Sequence, residues 1–231
     1  MLEVHKTYLN WSTGKDSALA LYHLQQGANY QVEYLLTSVN VHYQRVSMHG
    51  VRTALLQQQV QALGIPGGTV ELPKHTTNEV YEQEMGKKIT ELKTTGFTHA
   101  AFGDIFLEDL RQYREQQLGP FYIQTVFPLW KKDTRQLVEE FIELGFQAIV
   151  VCVNAGRLDR SFAGRLIDRD FINDLPPGVD PCGENGEFHT FCFDGPIFQQ
   201  PVLFSPGEVV YKEYIMDAQK TGFGFATSPR Y

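Results

Sequence analysis

An α/β fold is what this sequence predicts: a parallel sheet carrying helices on both faces, with a smaller α+β region after it. Two observations lead there. Short apolar segments alternate with stretches of helical period as far as Val153, the order that βαβ units require. Several of the short segments, Val32–Asn40 and Phe146–Val153 among them, are apolar almost throughout, as strands buried on both faces are.

The elements follow in order. His5–Trp11 reads as a strand that runs into a helix over Asp16–Gln26, with Leu19, Leu21 and Leu24 on its apolar side. Val32–Asn40 is the second strand. A helix over His49–Leu63 comes next and stops at Gly64-Ile65-Pro66, a strong breaker. Thr69–Leu72 is a short strand, and Asn78–Lys93 a helix that ends near Gly96. Thr98–Ile105 reads as another buried strand, followed by a polar helix from Leu107 to Gln117. Asp133 stands as an N-cap with Gln136 three residues on, in the manner of a capping box. Leu137, Phe141 and Leu144 then recur at helical spacing until Gly145. Phe146–Val153 is the last strongly buried strand. From about Arg157 the texture changes to turns at Pro176-Pro177-Gly178 and Pro181-Cys182-Gly183, an isolated antiparallel strand over Phe188–Phe193, and a loose tail over Thr221–Tyr231. A boundary near residues 128–132 divides the chain into 1–130 and 131–231.

Composition narrows the class. With 42% hydrophobic and 13% aromatic residues over 231 positions, the chain has material for one sizeable core or a core plus a smaller part. A formal charge of −7 argues against a uniformly basic nucleic-acid surface. The start MLEVHKTYLNW lacks the charged and apolar regions of a secretory signal. The longest apolar run, Ala148–Val153, is far too short to cross a bilayer, so no membrane partner is expected. Cys152, Cys182 and Cys192 show neither C-x-x-C nor zinc spacing and read as reduced thiols of a cytoplasmic protein.

The chemistry concentrates in Ser12-Thr13-Gly14-Lys15-Asp16-Ser17, at the turn between the first strand and the first helix. Such a turn aims backbone N–H groups and the positive end of the helix dipole at one spot. Small residues let a phosphate approach, Ser12 and Ser17 add hydroxyls, and Lys15 adds a compact cation. A Walker A loop does not fit. Leu9 stands where its first glycine belongs, and Asp16 where its Ser or Thr belongs.

These residues resemble the S-G-G-x-D-S signature of the ATP pyrophosphatases, the adenine-nucleotide α-hydrolase-like group with a Rossmann-like PP-loop domain. Thr13 departs from the glycine at the signature's second position, and a threonine there fits the loop in a negative-φ turn conformation. Within the group, the chain is similar to the diphthine–ammonia ligase family over roughly residues 4–200. The likeness rests on Ser12–Ser17, Met48-His49-Gly50, Gly64-Ile65-Pro66, Gly103-Asp104-Ile105, Pro128-Leu129-Trp130 and the Gly183–Glu187 turn running into Thr190.

Further residues gather around this loop. Asp104 closes a buried strand at its carboxyl end, where open parallel sheets bind ligands, and is a candidate to hold Mg²⁺ together with Asp16. Gly103 beside it and His49 are candidate nucleotide contacts. Arg111 and Arg114 either join an exposed ion-pair face with Glu108 and Glu115 or bind an anion. Glu184 and Glu187, in a turn bracketed by Gly183 and Gly186, are candidate bases or amine ligands. In the resembled family this segment faces the nucleotide. The resemblance implies attack of a carboxylate, small or protein-borne, on the ATP α-phosphate, then displacement of AMP by ammonia or another amine. Lys15, Asp16, Asp104, Glu184 and Glu187 would act in it, with Ser12, Thr13, Gly14, Lys15, Asp16 and Ser17 around the pyrophosphate. A nucleotide-binding protein without turnover and a tRNA-modifying enzyme of the same loop type are the alternatives. A homodimer is compatible with the sequence, which does not fix the oligomeric state.

Overall fold

The computed structural model describes residues 4–216 and 219–226, with side chains as far as residue 211. The first strand, β1 (His5–Asn10), leads into α1 (Lys15–Gln26), whose Ala18, Leu19, Leu21 and Leu24 are buried. The chain continues through β2 (Tyr30–Asn40), the two-residue β3 (Arg45–Val46) and α2 (Thr53–Leu63). Then come β4 (Gly67–Leu72), α3 (Asn78–Thr94), β5 (His99–Ala101), α4 (Glu108–Leu118) and β6 (Gln124–Val126).

β2 pairs in parallel with β1 on one edge and with β4 on the other, and β5 joins β1 to β6, also in parallel. The spatial order is therefore β4-β2-β1-β5-β6, with β3 added antiparallel to the end of β2. Alternation along the strands splits the core. Leu9 packs with α1 and α2 residues such as Leu21 and Leu55, while Tyr8 packs with Met85, Ile89 and Leu118 of α3 and α4. This is the predicted Rossmann-like sheet with helices on both faces.

The remainder is smaller and mixed. It holds α5 (Thr134–Glu143), β7 (Gln147–Asn154), α6 (Arg169–Asp174), β8 (Phe188–Asp194), β9 (Val209–Met216) and β10 (Gln219–Ala226). Its sheet has the order β8-β7-β10-β9 and is antiparallel at every pairing. The Asp133 carboxylate caps α5 by accepting from the Gln136 N–H at 2.9 Å. Leu137, Val138 and Phe141 of α5 belong to the same core as α1 and α2.

Several expectations need correction. The helix expected over His49–Leu63 begins only at Thr53, because Met48 and Gly50 adopt positive φ (65° and 70°) and the Val46 N–H reaches the Val51 carbonyl at 2.7 Å. The strand expected over Thr98–Ile105 ends at Ala101, and Gly103 beyond it lies against the first turn of α1. β6 is too short and too polar at its start to carry a periodic signal. The Phe188–Phe193 strand is not isolated but pairs with β7. The tail expected over Thr221–Tyr231 lies in β10 as far as Ala226, with 227–231 outside the described residues. Its Gly222 and Gly224 dilute any strand pattern, and only pairing with β7 and β9 creates the strand. At Gly64 the breaker behaves as predicted, ending α2 in the left-handed region at φ 67°.

Candidate active site

The carboxyl ends of β1 and β5 meet here. Residues 11–14 leave β1 and turn into α1, with Gly14 as its N-cap in extended conformation. Ser12 Oγ and Ser17 Oγ lie 2.6 Å apart, and the Ser17 hydroxyl donates to the Gly14 carbonyl at 3.2 Å. The two serines thus close the turn on itself. Thr13 sits at φ 73°, not in the negative-φ conformation expected of a threonine. A β-branched residue there is strained, and its buried Oγ1 has no hydrogen-bond partner among the described residues.

What holds this strained turn is contact with other elements. The Thr13 carbonyl accepts from Gln59 Nε2 of α2 at 3.0 Å and from the Cys192 N–H of β8 at 2.9 Å. Gln59 Nε2 also donates to the Cys192 carbonyl, at 2.5 Å, and Gln59 Oε1 accepts from Trp11 Nε1 at 2.6 Å. The Lys15 N–H donates to Thr190 Oγ1 at 3.0 Å. Sequence reasoning missed Gln59. The available signal was a glutamine on the inward face of α2, among Leu55, Leu56, Ala62 and Leu63, because a fully buried amide needs built partners.

The Lys15 side chain lies behind the turn, 2% exposed, with Nζ donating to Asp16 Oδ1 at 2.6 Å and to the Cys182 carbonyl at 2.5 Å. Burial alone would lower its pKa. The adjacent Asp16 carboxylate, with smaller help from Cys182 and Glu184, outweighs that and holds it above the ordinary lysine value. Asp16 is the more open partner of the pair. Burial pushes the Cys182 thiol above its ordinary pKa, so it stays protonated.

Gly103 lies directly against the start of α1. A Cβ on it would stand 2.9 Å from the Asp16 carbonyl carbon and 3.0 Å from the Ser17 nitrogen. Only glycine permits that approach. Asp104, next in the chain, accepts from Arg114 Nε at 3.0 Å, and the Arg114 guanidinium lies over the Phe102 ring. Arg111 pairs with Glu115 at 2.8 Å and stacks over Phe127 and Trp130, while Glu108 turns to Lys131. The helix following Gly103-Asp104 therefore splits: Arg114 faces the site and Arg111 an aromatic shelf.

From the turn that precedes β8, Glu184 Oε1 accepts from the Ile105 N–H at 2.7 Å. Burial, with the Asp16 and Asp104 charges adding to it, raises the Glu184 pKa to about 7 despite that bond and Lys15. Glu187 is 1% exposed and braces the turn, accepting from the Asp180 N–H and the Asn185 amide. His49 stacks on His189, with centroids 4.6 Å apart, and its Nδ1 lies 3.4 Å from the Thr190 carbonyl. Burial lowers the pKa of His49 to about 3 and of His189 to about 4, so both rings are neutral. His49 also borders Gly14, where a Cβ would come within 3.0 Å of its Cε1.

The structure thus gathers Ser12, Thr13, Gly14, Lys15, Asp16, Ser17, His49, Gly103, Asp104 and Glu184 at one place. Glu187 stands behind them as a brace. Among the described residues no group of three or more His, Cys, Asp or Glu is placed to hold a metal ion, and no helix is long and apolar enough to cross a membrane.

Known proteins match both parts of the chain. Residues 5–117 match the diphthamide synthase N-terminal domain, and residues 133–219 match the diphthamide synthase C-terminal domain. Diphthine–ammonia ligase of Bos taurus is 27% identical over 73% of this chain and 67% of its own length. The Homo sapiens enzyme of that name is 26% identical over the same shares. Among solved structures, the U34-tRNA thiolase NcsA from Methanococcus maripaludis aligns with a TM-score of 0.38 and 16% identity, over 62% of this chain and 58% of that one. With both of its halves matched by that family's two domains, the chain belongs to the diphthine–ammonia ligase family of ATP-dependent ligases.

Proposed function

We propose that the chain activates a carboxylate by adenylation and converts it to an amide with ammonia, releasing AMP and pyrophosphate. The observation that carries this is the closed turn over Ser12–Ser17 at the start of α1, backed by a buried cation at Lys15. The donor set fits a doubly charged leaving group: the amides opening α1, the Ser12 and Ser17 hydroxyls, and the helix dipole. Lys15 contributes its charge from behind the turn rather than as an exposed ligand. Gly103 keeps the second strand end close, and His49, neutral, supplies a nitrogen beside Gly14 for the nucleotide.

Mg²⁺ fits the carboxylates of Asp16 and Asp104, which would hold it and let it offset phosphate charge. Each carboxylate already faces one cation, Lys15 or Arg114. Glu184 is the base of this reading. With a pKa of about 7 it is partly ionised near neutrality, suited to take a proton from an ammonium ion or the attacking amine. Glu187 holds the turn that presents Glu184. The acceptor is a carboxylate, small or protein-borne, and diphthine, named in the relatives, is the first to try. Three buried, unpaired cysteines fit a reducing, cytoplasmic setting.

Incubation with Mg-ATP, a candidate acid and ammonium, followed by nucleotide analysis, tests this. AMP and pyrophosphate in equal amounts are expected. ADP and phosphate would place the cleaved bond elsewhere, and nucleotide binding without cleavage under any acceptor would make the fold a binding scaffold.

A further inference from the structure

Gln59 is 0% exposed, sits on α2, and makes three hydrogen bonds that join the Trp11–Thr13 turn to β8. Its amide orientation is fixed by chemistry. Oε1 faces the Trp11 indole N–H, and Nε2 faces the carbonyls of Thr13 and Cys192, so a flipped amide would set oxygen against two oxygens. We propose that Gln59 is a positioning residue for pyrophosphate: it turns the Thr13 carbonyl inward and thereby aims the Gly14 N–H at the phosphate.

The peptide between Thr13 and Gly14 is trans, and in a planar trans peptide the C=O and N–H point in opposite directions. With the carbonyl held by Gln59 and Cys192, the Gly14 N–H faces the serine side of the turn, where its contact is a long 3.4 Å to Ser12 Oγ. Thr13 at φ 73° is a conformation a threonine leaves unless neighbours hold it. Relaxation of Thr13 to negative φ would rotate this peptide and take the Gly14 N–H away. Gln59 acts through Thr13 and touches no substrate. The same contacts run to β8, so the amide also ties the turn to the second sheet.

This inference rests on the proposed pyrophosphate site, and the test separates the two. Titration calorimetry on the full chain measures binding of Mg-pyrophosphate and, separately, of AMP, in the native protein, in Gln59→Met and in the double variant Gln59→Met with Thr13→Gly. Gln59→Met should weaken pyrophosphate by about tenfold or more, leave AMP within about twofold, and regain at least half of the logarithmic loss when Thr13→Gly removes the strain. Equal weakening of both ligands indicates a general structural role and overturns the proposal, as does unchanged pyrophosphate binding. A native chain that binds neither ligand takes the proposed function down and this inference with it. If Gln59→Met does not fold, glycine-selective ¹⁵N labelling of the native chain decides. The Gly14 amide resonance should move downfield when Mg-pyrophosphate binds, and a stationary Gly14 in a protein that binds pyrophosphate overturns the proposal.

Discussion

Thr13 is the residue on which the site's local energetics turn. It holds positive φ, is fully buried and leaves its hydroxyl without a partner among the described residues. Replacing it with glycine removes about 1–2 kcal/mol of left-handed strain and an unsatisfied hydroxyl. Against that stand the lost methyl packing and the greater freedom of the unfolded chain. The net expectation for Thr13→Gly is a gain of about 1 kcal/mol, a Tm rise of about 2–4 °C by calorimetry. Thr13→Ala, which keeps the strain, should fall short of it; equal Tm changes would show that the φ angle is not the cause. Glu184 carries the pH dependence. Its folded pKa of about 7 lies above the ordinary carboxyl value, so the folded state binds the extra proton. Stability tied to this group is present at low pH and declines as pH rises from about 4.5 to 7. Glu184→Gln, which still accepts from the Ile105 N–H, should flatten that decline and leave the protein the more stable of the two above pH 7. Urea midpoints from pH 5 to 8 check it, and parallel curves would mean Glu184 is ionised throughout.

At the scale of elements, α1 depends on Gly103 as much as on its own cap. Gly14 lends no side chain to the helix start, and the end of the β5 strand lies against the backbone of Asp16 and Ser17. Gly103→Ala forces a Cβ against the backbone of Asp16 and Ser17, an overlap that costs about 1–3 kcal/mol and tilts the first turn of α1. ATP binding should fall more than stability does, because the proposed phosphate donors sit in that turn. Calorimetric titration alongside a urea melt would show this, and a variant with native affinity would mean the contact is loose. β8 serves α1 in the same way from the other side, since Thr190 and Cys192 supply bonds that the turn cannot make within itself.

Over the whole molecule, the two parts proposed as 1–130 and 131–231 share one core. Leu19 and Leu21 of α1 lie in the same apolar cluster as Phe141, Phe146 and Phe191, and Tyr22 meets Phe146 edge-on at 6.1 Å. Buried polar links at Thr13, Lys15 and Gln59 cross the same interface. The expectation is one cooperative thermal transition, with calorimetric and van't Hoff enthalpies in agreement. A fragment of residues 1–130 should lack a native melting transition, since it would expose the apolar side of α1. Two resolved transitions in the full chain would instead mark independent units.

The sequence by itself determined the alternation of strands and helices, the parallel sheet, and the strand-to-helix turn of small residues at its first crossover. Those follow from local periodicity, breakers and the fixed meaning of a strand-to-helix turn. Asp133 as a cap and Gly64 as a stop were legible for the same reason. Only the tertiary structure decided the rest. It set Thr13 in a left-handed conformation, turned Lys15 behind the loop, paired Arg114 with Asp104, and enlisted Gln59. It also gave β6, β9 and β10 their partners in the two sheets. Each of these depends on partners far away along the chain, and a strained or buried polar group is stable only once such partners have closed around it.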